Sequence, residues 1–505
     1  MNSATITIRL EPWETEFDIP AASPLQPALA AQGVEFPCGG SGICGGCRIR
    51  VLAGSLPITS EDESVFSSRE LASGWRLACR ARATTSLVLE CGQSEMNILA
   101  DSSPVLSGCR RAGLGIAIDL GTTTIATQLI NLSTGEILGV RTALNQQVRF
   151  GSDIMTRIGA ALSGADLTNL IREQLASIVL ELAGDRLDSV TDVVLVGNTV
   201  MHHLFCGLSV EPLSHAPFQP STIAEQRFLP AALGWPLPAH CTIRFAPCIG
   251  GFVGSDILAG IFATHLGTSD ELTALVDLGT NGEIAIGNRH GIVCASTAAG
   301  PAFEAGSIRM GMRAAAGAIA HVCSSLEGLQ ASTIGDVAPR GICGSGVVDA
   351  VAAGLACAAV LPSGRLRTPS RTLPIADPVV LYQSDIRELQ LAKAAIASGL
   401  SLLLDHLAAS AGDLACLHLA GAFGNYLHVE SAIAIGLIPV PKDRIHPVGN
   451  TALRGARLML VSGDQPAIPP IHHVALASLA NFQDEFERSI AFPTPAHSPV
   501  SSVFA

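Results

Sequence analysis

The sequence predicts a small α+β domain followed by a larger α/β domain that is built from two similar lobes. Two observations support this prediction. Three cysteines fall within fifteen glycine-rich residues near the N-terminus, FPCGGSGICGGCRIR at 36–50. A pattern of strand, Asp-Leu-Gly-Thr, turn and strand occurs twice, at 113–139 and 272–291. Two copies of one hairpin, about 158 residues apart, indicate two lobes that face each other across a cleft.

Composition bounds the class of protein. The 505 residues are 48% hydrophobic and 14% charged, so the chain can bury a large core. A formal net charge of −13 argues against nucleic acid or an anionic membrane surface as the main partner. The N-terminal residues MNSATITIRLEPWETEFDIP lack a basic region followed by an apolar run, which predicts a cytoplasmic protein whose cysteines are thiols or metal ligands.

One apolar segment, residues 341–364, is about as long as a membrane span. Asp349 lies near its middle, where a charge is costly in lipid, and its apolar content is mostly glycine and alanine. The segment therefore predicts a buried helix that packs closely against its neighbours.

The N-terminal domain is predicted to span residues 1–95. Alternation of apolar and polar residues, with turn residues between, predicts strands at 4–10 and 14–19, a helix at 24–33, a strand at 47–54 and a closing strand at 86–92. Ser60 and Glu63 match the capping box of a further helix. Residues 96–113 are polar and contain glycine and proline, which predicts a linker.

The cysteine spacing points to a metal cluster. Cys38, Cys44 and Cys47 form C-x5-C-x2-C, and Cys79 follows at a distance. This layout resembles that of plant- and vertebrate-type [2Fe-2S] ferredoxins, which have a β-grasp fold. Zinc would more typically show two C-x2-C pairs, and buried cysteines without ligands would not require so much glycine.

The repeated hairpin has the composition of a phosphate-binding turn. Gly121 and Gly279 let the backbone approach a ligand closely, and Asp119 and Asp277 are candidate Mg²⁺ ligands. Further donors in the two turns are Thr122, Thr123, Thr124, Thr280 and Asn281. Asp-Gly-Thr is also a common turn composition, but its occurrence between apolar strands in both copies favours a clamp on the β- and γ-phosphates of ATP.

These two turns resemble the phosphate motifs of the actin, sugar kinase and heat-shock ATPase (ASKHA) superfamily, whose fold is ribonuclease H-like. CLHLAGAFGNYL at 416–427 is similar to the superfamily's adenosine motif and assigns Gly421 and Gly424 to adenosine. The resemblance implies an ASKHA domain over residues 114–490, with lobes at about 114–265 and 270–490, a second connecting helix at 432–439 and a flexible tail at 491–505.

A further glycine-rich turn, GICGSGVV, opens a predicted helix. Gly344 and Gly346 there would expose N–H groups to an anionic or polar ligand. Small residues at these positions would equally permit tight helix packing, and the pattern alone does not separate the two.

A [2Fe-2S] domain ahead of an ASKHA domain resembles the reductive activators of corrinoid proteins. Three further stretches carry the resemblance: 196–208, 246–256 and 298–319. Members of this family have an additional middle domain. Only about 18 residues separate the two predicted domains here, so the middle domain is predicted to be missing.

The resemblance implies a function. An ATP-dependent activator passes one electron from its [2Fe-2S] cluster to the cobalt of a corrinoid protein of a methyltransferase system, which returns Co(II) to Co(I). The implied cofactors are the cluster, ATP and Mg²⁺, and the implied partners include an upstream electron donor and a second copy in a homodimer. Plant-type clusters have potentials near −400 mV, above that of the cobalt couple, so ATP is needed to change the partner's conformation or cobalt ligation.

Some assignments stay open at the level of sequence. Glu283 or Asp153 is a candidate to orient the attacking water, and either is equally a structural residue. His202 and His203 are predicted to have packing or polar-contact roles, and Asp256 either caps a helix or lines the cleft. Alternative functions are a small-molecule kinase with a redox-sensing cluster and a nucleotide-gated binding module with a structural cluster.

Overall fold

A computed structural model describes residues 5–11, 15–32, 34, 42, 47–91, 111–151, 153–325, 328–424, 426–462 and 468–494. Cys38 and Cys44 lie outside the described residues, as do Gly33 and most of the predicted linker and tail.

The N-terminal domain has a β-grasp architecture. In the described part of residues 5–91, one five-stranded sheet has the order β2-β1-β5-β3-β4. Strand β1 is antiparallel to β2 and parallel to β5, and its alternate residues Ile6, Ile8 and Leu10 face the core. The elements are β1 (Thr5–Glu11), β2 (Thr15–Pro20), α1 (Leu25–Ala31), β3 (Arg48–Ala53), α2 (Ser60–Val65), α3 (Ser68–Ala72), β4 (Trp75–Leu77) and β5 (Leu87–Cys91). The predicted hairpin and closing strand are confirmed.

The predicted capping box at Ser60 and Glu63 is wrong by one residue. Thr59 is the N-cap of α2: its hydroxyl accepts from Asp62 N, and Asp62 Oδ2 accepts from Thr59 N at 2.8 Å. The other oxygen of Asp62 accepts from Leu77 N at 2.7 Å. Asp62 is buried because its carboxylate bonds both to the N-cap Thr59 and to the backbone of β4. Asp62, and not Glu63, therefore closes the capping box.

The first lobe follows from residue 114. Its described strands form a six-stranded sheet of order β10-β11-β9-β6-β7-β8. The elements are β6 (Leu114–Leu120), β7 (Thr124–Asn131), β8 (Ile137–Leu144), α4 (Ile154–Leu162), α5 (Leu167–Ala183), β9 (Val190–Gly197), α6 (Thr199–Cys206), β10 (Gln226–Phe228), α7 (Pro230–Leu233), β11 (Thr242–Phe245) and α8 (Ser255–Thr264).

The second lobe repeats this plan. Within the described residues its main sheet has six strands in the order β21-β20-β12-β13-β14-β22. The elements are β12 (Thr273–Leu278), β13 (Gly282–Asn288), β14 (Gly291–Thr297), β15 (Ala318–Ser325), β16 (Gly328–Thr333), β17 (Gly341–Ile342), α9 (Gly344–Ala356), β18 (Thr372–Ala376), β19 (Val379–Tyr382), α10 (Gln383–His406), β20 (Cys416–Ala420), α11 (Gly421–Gly424), α12 (Val429–Ala434), β21 (Ile445–Gly449), α13 (Thr451–Ser462), β22 (Ile471–His473) and α14 (Phe482–Ile490).

Five strands of the two sheets share one topology, β11-β9-β6-β7-β8 and β21-β20-β12-β13-β14. In each lobe the repeated hairpin continues into a third antiparallel strand, and a later strand lies parallel to the first: β9 beside β6, and β20 beside β12. The duplication that the sequence predicted is thus a duplication of the sheet.

The connecting helices cross between the lobes. Helix α8 of the first lobe packs Ile257 and Ile261 against Leu275 of the second sheet. Helix α13 of the second lobe packs Leu453 against the first sheet. The two helices touch so closely that a Cβ on Gly455 would lie 2.0 Å from the carbonyl oxygen of Ala259.

The predicted connecting helix at 432–439 is wrong. Helix α12 ends at Ala434, and Gly436 has a φ of 71°, which an α-helix does not accommodate. α13 follows β21, the edge strand parallel to β20, and takes the connecting role.

The apolar segment at 341–364 contains helix α9, which is buried along most of its length. Asp349 is 1% exposed there. Among the described helices, none combines the length and apolar character that spanning a membrane requires.

The N-terminal domain contacts both lobes of the larger domain. Helix α1 lies against the short helical turn Gln146–Phe150 of the first lobe. Toward the second lobe, Glu70 pairs with Arg309 at 3.1 Å and Glu90 pairs with Arg340 at 2.6 Å. Ion pairs hold the N-terminal domain to the second lobe in this arrangement.

Candidate functional site

Two of the four predicted cluster cysteines lie in the described residues, on adjacent segments. Cys47 precedes β3 and is 1% exposed, and Cys79 follows β4. The two segments are joined because Ala78 N donates to the Cys47 carbonyl oxygen at 3.0 Å. Antiparallel pairing of β3 with β4 therefore brings residues 32 positions apart in the chain to one end of the sheet.

Gly42 of the glycine-rich stretch lies at this end of the sheet. Gly42 has a φ of 82°, and a Cβ there would lie 2.6 Å from Arg80 Nε. A side chain at this position would collide with the residue next to Cys79, which explains a glycine in physical terms. The described residues fit a cluster held by Cys38, Cys44, Cys47 and Cys79, with the first two outside the described range.

The two repeated hairpin turns meet in the cleft between the lobes. Thr123 Oγ1 of the first turn lies 3.3 Å from Thr280 Oγ1 of the second. Gly121 N donates to Thr124 O and Gly279 N donates to Asn281 O, each at 3.0 Å, which keeps both turns tight. Hydroxyls separated by 157 residues thus line one point of the cleft.

Glu304 joins the two turns and was not recognised from the sequence. Thr280 donates to Glu304 Oε1 at 2.9 Å, and Thr123 lies 3.4 Å from Oε2. The cleft environment raises the pKa of the Glu304 carboxyl through burial, although both hydroxyls and the nearby Arg157 counteract this. The only signal in the sequence was its position in the stretch 298–319, which carries the family resemblance.

Four acidic side chains gather beside the turns. Burial raises the pKa of Asp119 to about 6. Burial, followed by the charge of Asp119, raises the pKa of Asp256 to about 7. The pKa of Asp277 also rises to about 7, through burial and then the charges of Asp256 and Asp119. The negative charges of these carboxylates repel one another. A divalent cation is the kind of ligand that relieves such repulsion.

The fourth acid, Glu283, lies opposite Asp277 in the register of β12 and β13. Its pKa is raised well above the usual value by burial and by the charges of Asp256 and Asp277, while Ser296 donates to Oε1 at 3.2 Å. The corresponding register position opposite Asp119 is Ala126. The two hairpins are therefore not chemically equivalent, because the second carries the extra acid.

Two asparagines in identical V-G-N-T stretches, at 196–199 and 448–451, support the first turn. Asn198 Nδ2 donates to Thr122 Oγ1 and Asn450 Nδ2 donates to Asp119 Oδ2, each at 2.9 Å. Their oxygens accept from the backbone of the helices that follow, α6 and α13. The repeated four-letter stretch was the sequence signal for both, and our sequence analysis missed it.

The predicted adenosine turn lies directly beside Asp277. Gly421 has a φ of 92°, and a Cβ there would lie 2.6 Å from Asp277 Oδ1. Phe423 of the same turn stacks on Phe303, with ring centroids 5.1 Å apart. A Cβ on Gly424 would approach Leu419 Cγ at 3.3 Å.

Tight packing accounts for the glycines of the GSG turn. A Cβ on Gly344 would lie 1.7 Å from the Phe303 carbonyl oxygen, and one on Gly346 would lie 2.2 Å from the Ile319 carbonyl oxygen. A role of these two glycines in nucleotide binding stays a prediction.

Four residues singled out in the sequence for their uncertain roles have structural partners. Asp153 caps helix α4 by accepting from Thr156 N at 2.9 Å. His203 Nδ1 is bonded to Thr199 O, and the buried His202 packs edge-on against Phe245. Asp256 is not the N-cap of α8, which is Gly254, and its carboxylate belongs to the acidic cluster of the cleft.

Comparison with known proteins agrees with this geometry. The description "2Fe-2S iron-sulfur cluster binding domain" matches residues 8–84, "RACo middle region" matches 114–285, and "C-terminal domain of RACo the ASKHA domain" matches 271–504. The corrinoid activation enzyme RamQ of Eubacterium limosum is 34% identical over 420 residues, 75% of this chain and 70% of the relative. The chain belongs to the RACo family of reductive activators of corrinoid proteins.

Two further proteins extend the comparison. The [Co(II) methylated amine-specific corrinoid protein] reductase of Methanosarcina barkeri is 28% identical over 381 residues, 69% of this chain and 70% of the relative. A solved structure, "Reductive activator for corrinoid,iron-sulfur protein", superposes with a TM-score of 0.65 at 25% identity. That match covers 97% of this chain and 98% of the other.

The prediction that the RACo middle domain is missing is wrong. The middle region matches residues 114–285, which include the whole first lobe and the second phosphate turn. The middle region is thus not an insertion between ferredoxin and ATPase. It contains the first lobe, so the short linker says nothing about its presence.

Proposed function

We propose that this chain hydrolyses Mg²⁺-bound ATP in the cleft between its lobes and thereby drives one electron from its cluster to the cobalt of a corrinoid protein. The family's activity is the reduction of corrinoid Co(II) to Co(I), and the ASKHA domain is its ATPase. The observation that carries the proposal is the meeting of the two hairpin turns at Thr123 and Thr280, with an acidic cluster beside them.

The acidic cluster suits Mg²⁺. Asp119 and Asp277 lie one residue before the end of the first strand of each hairpin, and oxygen ligands are what Mg²⁺ prefers. Asn450 keeps Asp119 oriented through its amide N–H. Burial and mutual repulsion raise the pKa values of these acids, so they would hold a cation in their ionised forms and give up protons as it binds.

The two threonine hydroxyls suit the terminal phosphates. In this arrangement they are bonded to Glu304. A γ-phosphate between the turns takes over these donors, and Glu304 is then released to accept a proton or to orient water. Glu283 is the second candidate for that role, since Ser296 fixes one of its oxygens beside Asp277.

The ferredoxin domain supplies the electron. Cys38, Cys44, Cys47 and Cys79 would hold the [2Fe-2S] cluster, which, when bound, donates a single electron, so that the cluster is oxidised as Co(II) is reduced. Arg80 and Glu61 form an ion pair at 3.3 Å beside Cys79. These two charged side chains are partly exposed at the end of the sheet that carries Cys79. A corrinoid partner and an upstream electron donor would dock there.

The need for ATP follows from the potentials. A plant-type cluster has a potential near −400 mV, and each ~59 mV of unfavourable gap lowers the equilibrium of a one-electron step about tenfold. Closure of the lobes on ATP would therefore act on the corrinoid partner, through its conformation or its cobalt ligation. The corrinoid protein of a methylated-amine methyltransferase is the partner class we propose, by analogy with the Methanosarcina barkeri relative.

The decisive experiment follows the cobalt absorption of such a corrinoid protein under anaerobic conditions, with a reductant and this protein present and ATP added or withheld. We expect conversion of the Co(II) spectrum to that of Co(I) only when both the protein and ATP are present. Conversion to the same extent without ATP would show that ATP hydrolysis does not drive the electron transfer. Stoichiometric phosphorylation of a small-molecule acceptor would instead identify a kinase.

A further inference from the structure

Two histidines and one aspartate converge in the second lobe, away from the acidic cluster of the cleft. His321 lies on β15, Asp349 on α9, and His428 immediately before α12. His321 Nδ1 lies 2.6 Å and His428 Nδ1 lies 2.8 Å from the same oxygen, Asp349 Oδ2. The two ring nitrogens are 3.3 Å apart. Three separate elements thus direct ligand-type atoms to one point.

The carboxylate at the centre is deeply buried. The Asp349 side chain has no exposed surface, and helix α9 around it is made of glycine, alanine and valine. Oδ2 accepts one backbone bond, from Val322 N at 3.3 Å. Oδ1 is buried and has no hydrogen-bond partner among the described residues. An ionised carboxylate in this position needs compensating charge.

The spacing of the three atoms matches coordination of a single ion. Ligands about 2.0 Å from a metal lie about 2.8 Å apart at a right angle and about 3.3 Å apart at the tetrahedral angle. Two of the observed separations, 2.8 and 3.3 Å, match these values, and the third, 2.6 Å, is slightly shorter. Two neutral imidazoles that both directed N–H groups at one oxygen would place two protons beside each other, whereas two imidazole lone pairs and a carboxylate all favour a cation.

The site is also open to exchange. Both imidazole side chains are 47% exposed, whereas the aspartate is fully covered. An ion held here would have protein ligands on its inner side and water on its outer side. The donor set of two imidazoles and one carboxylate suits Zn²⁺ and other divalent first-row ions, and does not suit Ca²⁺ or Mg²⁺.

We propose that His321, Asp349 and His428 bind a divalent transition metal ion, with Zn²⁺ as the best-matched ion. The ion would join β15, α9 and the start of α12. His428 lies four residues after Gly424, so the ion would also anchor the segment that leads out of the predicted adenosine turn. The proposal does not depend on the proposed function, because none of the three residues belongs to the acidic cluster or the phosphate turns.

The test is calorimetric titration of ZnCl₂ into full-length protein whose [2Fe-2S] cluster is already loaded, so that the cluster cysteines are occupied. We expect one tight site per chain. His321→Ala and His428→Ala should each weaken it about 100-fold or more. His290→Ala is the matched control, because His290 also faces a carboxylate, Asp270, at 3.4 Å but on an exposed loop, and it should leave the titration unchanged.

A second measurement needs no variant. Co²⁺ bound at two imidazoles and a carboxylate gives weak visible bands without the strong near-ultraviolet charge transfer that thiolate ligands produce. We expect this nitrogen and oxygen spectrum in the difference between cluster-loaded protein with and without Co²⁺, and Zn²⁺ should abolish it at one equivalent. Binding that is unaffected by both histidine variants, a purely thiolate spectrum or no binding would each overturn the proposal and leave a hydrogen-bonded trio.

Discussion

Glu90 forms two ion pairs at once, one with Arg50 of its own domain and one with Arg340 of the ATPase domain, both at 2.6 Å. Glu70 and Arg309 add a second link between the same two parts of the chain. All four side chains of the two interdomain pairs are partly exposed, so each pair is screened by salt and contributes about 0–1 kcal/mol.

This weak link predicts that the ferredoxin domain can be released. The double variant Arg309→Ala/Arg340→Ala should have a larger radius of gyration by small-angle scattering than the unmodified protein. The unmodified protein should expand when salt is raised to about 1 M, where the Debye length is about 3 Å. Arg289→Ala removes an ion pair within the second lobe and should change nothing. An unchanged radius in the double variant at all salt concentrations would show that other contacts hold the domain.

Asp119→Asn should separate the two chemistries. Removal of the carboxylate takes away a proposed metal ligand while Asn keeps the shape, so we expect ATP hydrolysis and cobalt reduction to fall at least about 100-fold. The visible absorption of the cluster should persist, because the cluster cysteines belong to another domain. Asp270→Asn is the control, because Asp270 is an exposed acid a few residues before β12. Full ATP-driven reduction by the Asp119 variant would remove this residue from the site.

Cys47→Ser should have the converse effect. The buried thiol at the start of β3 is a predicted cluster ligand, so its loss should abolish the iron–sulfur spectrum and cobalt reduction. Binding of a fluorescent ATP analogue should change less than about twofold. Cys323→Ser, at an exposed cysteine outside the ferredoxin domain, should keep the full spectrum. A normal spectrum in the Cys47 variant would exclude this ligand.

The raised pKa values of the cleft acids predict a pH dependence. Asp119 has a pKa of about 6, and Asp256 and Asp277 have pKa values of about 7, all above the ordinary 3.8. The folded protein without metal therefore holds protons that the unfolded chain has lost, and its stability falls as the pH rises through about 6 to 7. Mg²⁺ replaces those protons, so its stabilising effect should grow with pH.

The measurement is thermal unfolding with a non-hydrolysable ATP analogue, with and without Mg²⁺, from about pH 5.5 to about pH 8. The gain in Tm due to Mg²⁺ should be small at the low end and larger at the high end. In Asp277→Asn the slope of this gain with pH should be reduced. A gain that is equal at every pH would show that these acids do not hold the ion.

Asn450→Ser tests a positioning role. Serine keeps a helix cap at the start of α13 but lacks the amide N–H that reaches Asp119. The hydrogen bond lowers the pKa of Asp119, so its loss should raise that pKa and move the rising limb of the ATPase pH profile to higher pH. The free energy of unfolding should fall by less than about 1 kcal/mol. A lower rate with an unshifted profile would indicate a purely structural role.

The sequence was sufficient for the features that are local or repeated. Both copies of the repeated hairpin, the first hairpin of the ferredoxin domain and the cysteine spacing are patterns within a few tens of residues. The features that the sequence did not predict depend on buried contacts between distant segments. The capping box shifted from Ser60 to Thr59 because Asp62 also bonds to Leu77, and that contact exists only in the folded domain. The sequence does not reveal Glu304 because its partners are distant in the chain: Thr123 is 181 residues away and Thr280 is 24 residues away.

Topology decided the remaining errors. The stretch 432–439 is apolar enough for a connecting helix, but the helix that crosses to the other lobe is α13, which sequence periodicity cannot distinguish from any other amphipathic helix. The middle domain was judged missing because the interval before residue 114 is short, whereas that region begins at residue 114 itself. The sequence identified the ASKHA fold correctly, but it did not show that the first lobe is the middle region of the family.

Gly421 leaves no space for a side chain between the predicted adenosine turn and Asp277. A base bound at this turn would therefore press on the carboxylate with no intervening side chain to absorb the movement. Tripolyphosphate has the phosphates of ATP but no base, so we expect it to bind without displacing Asp277.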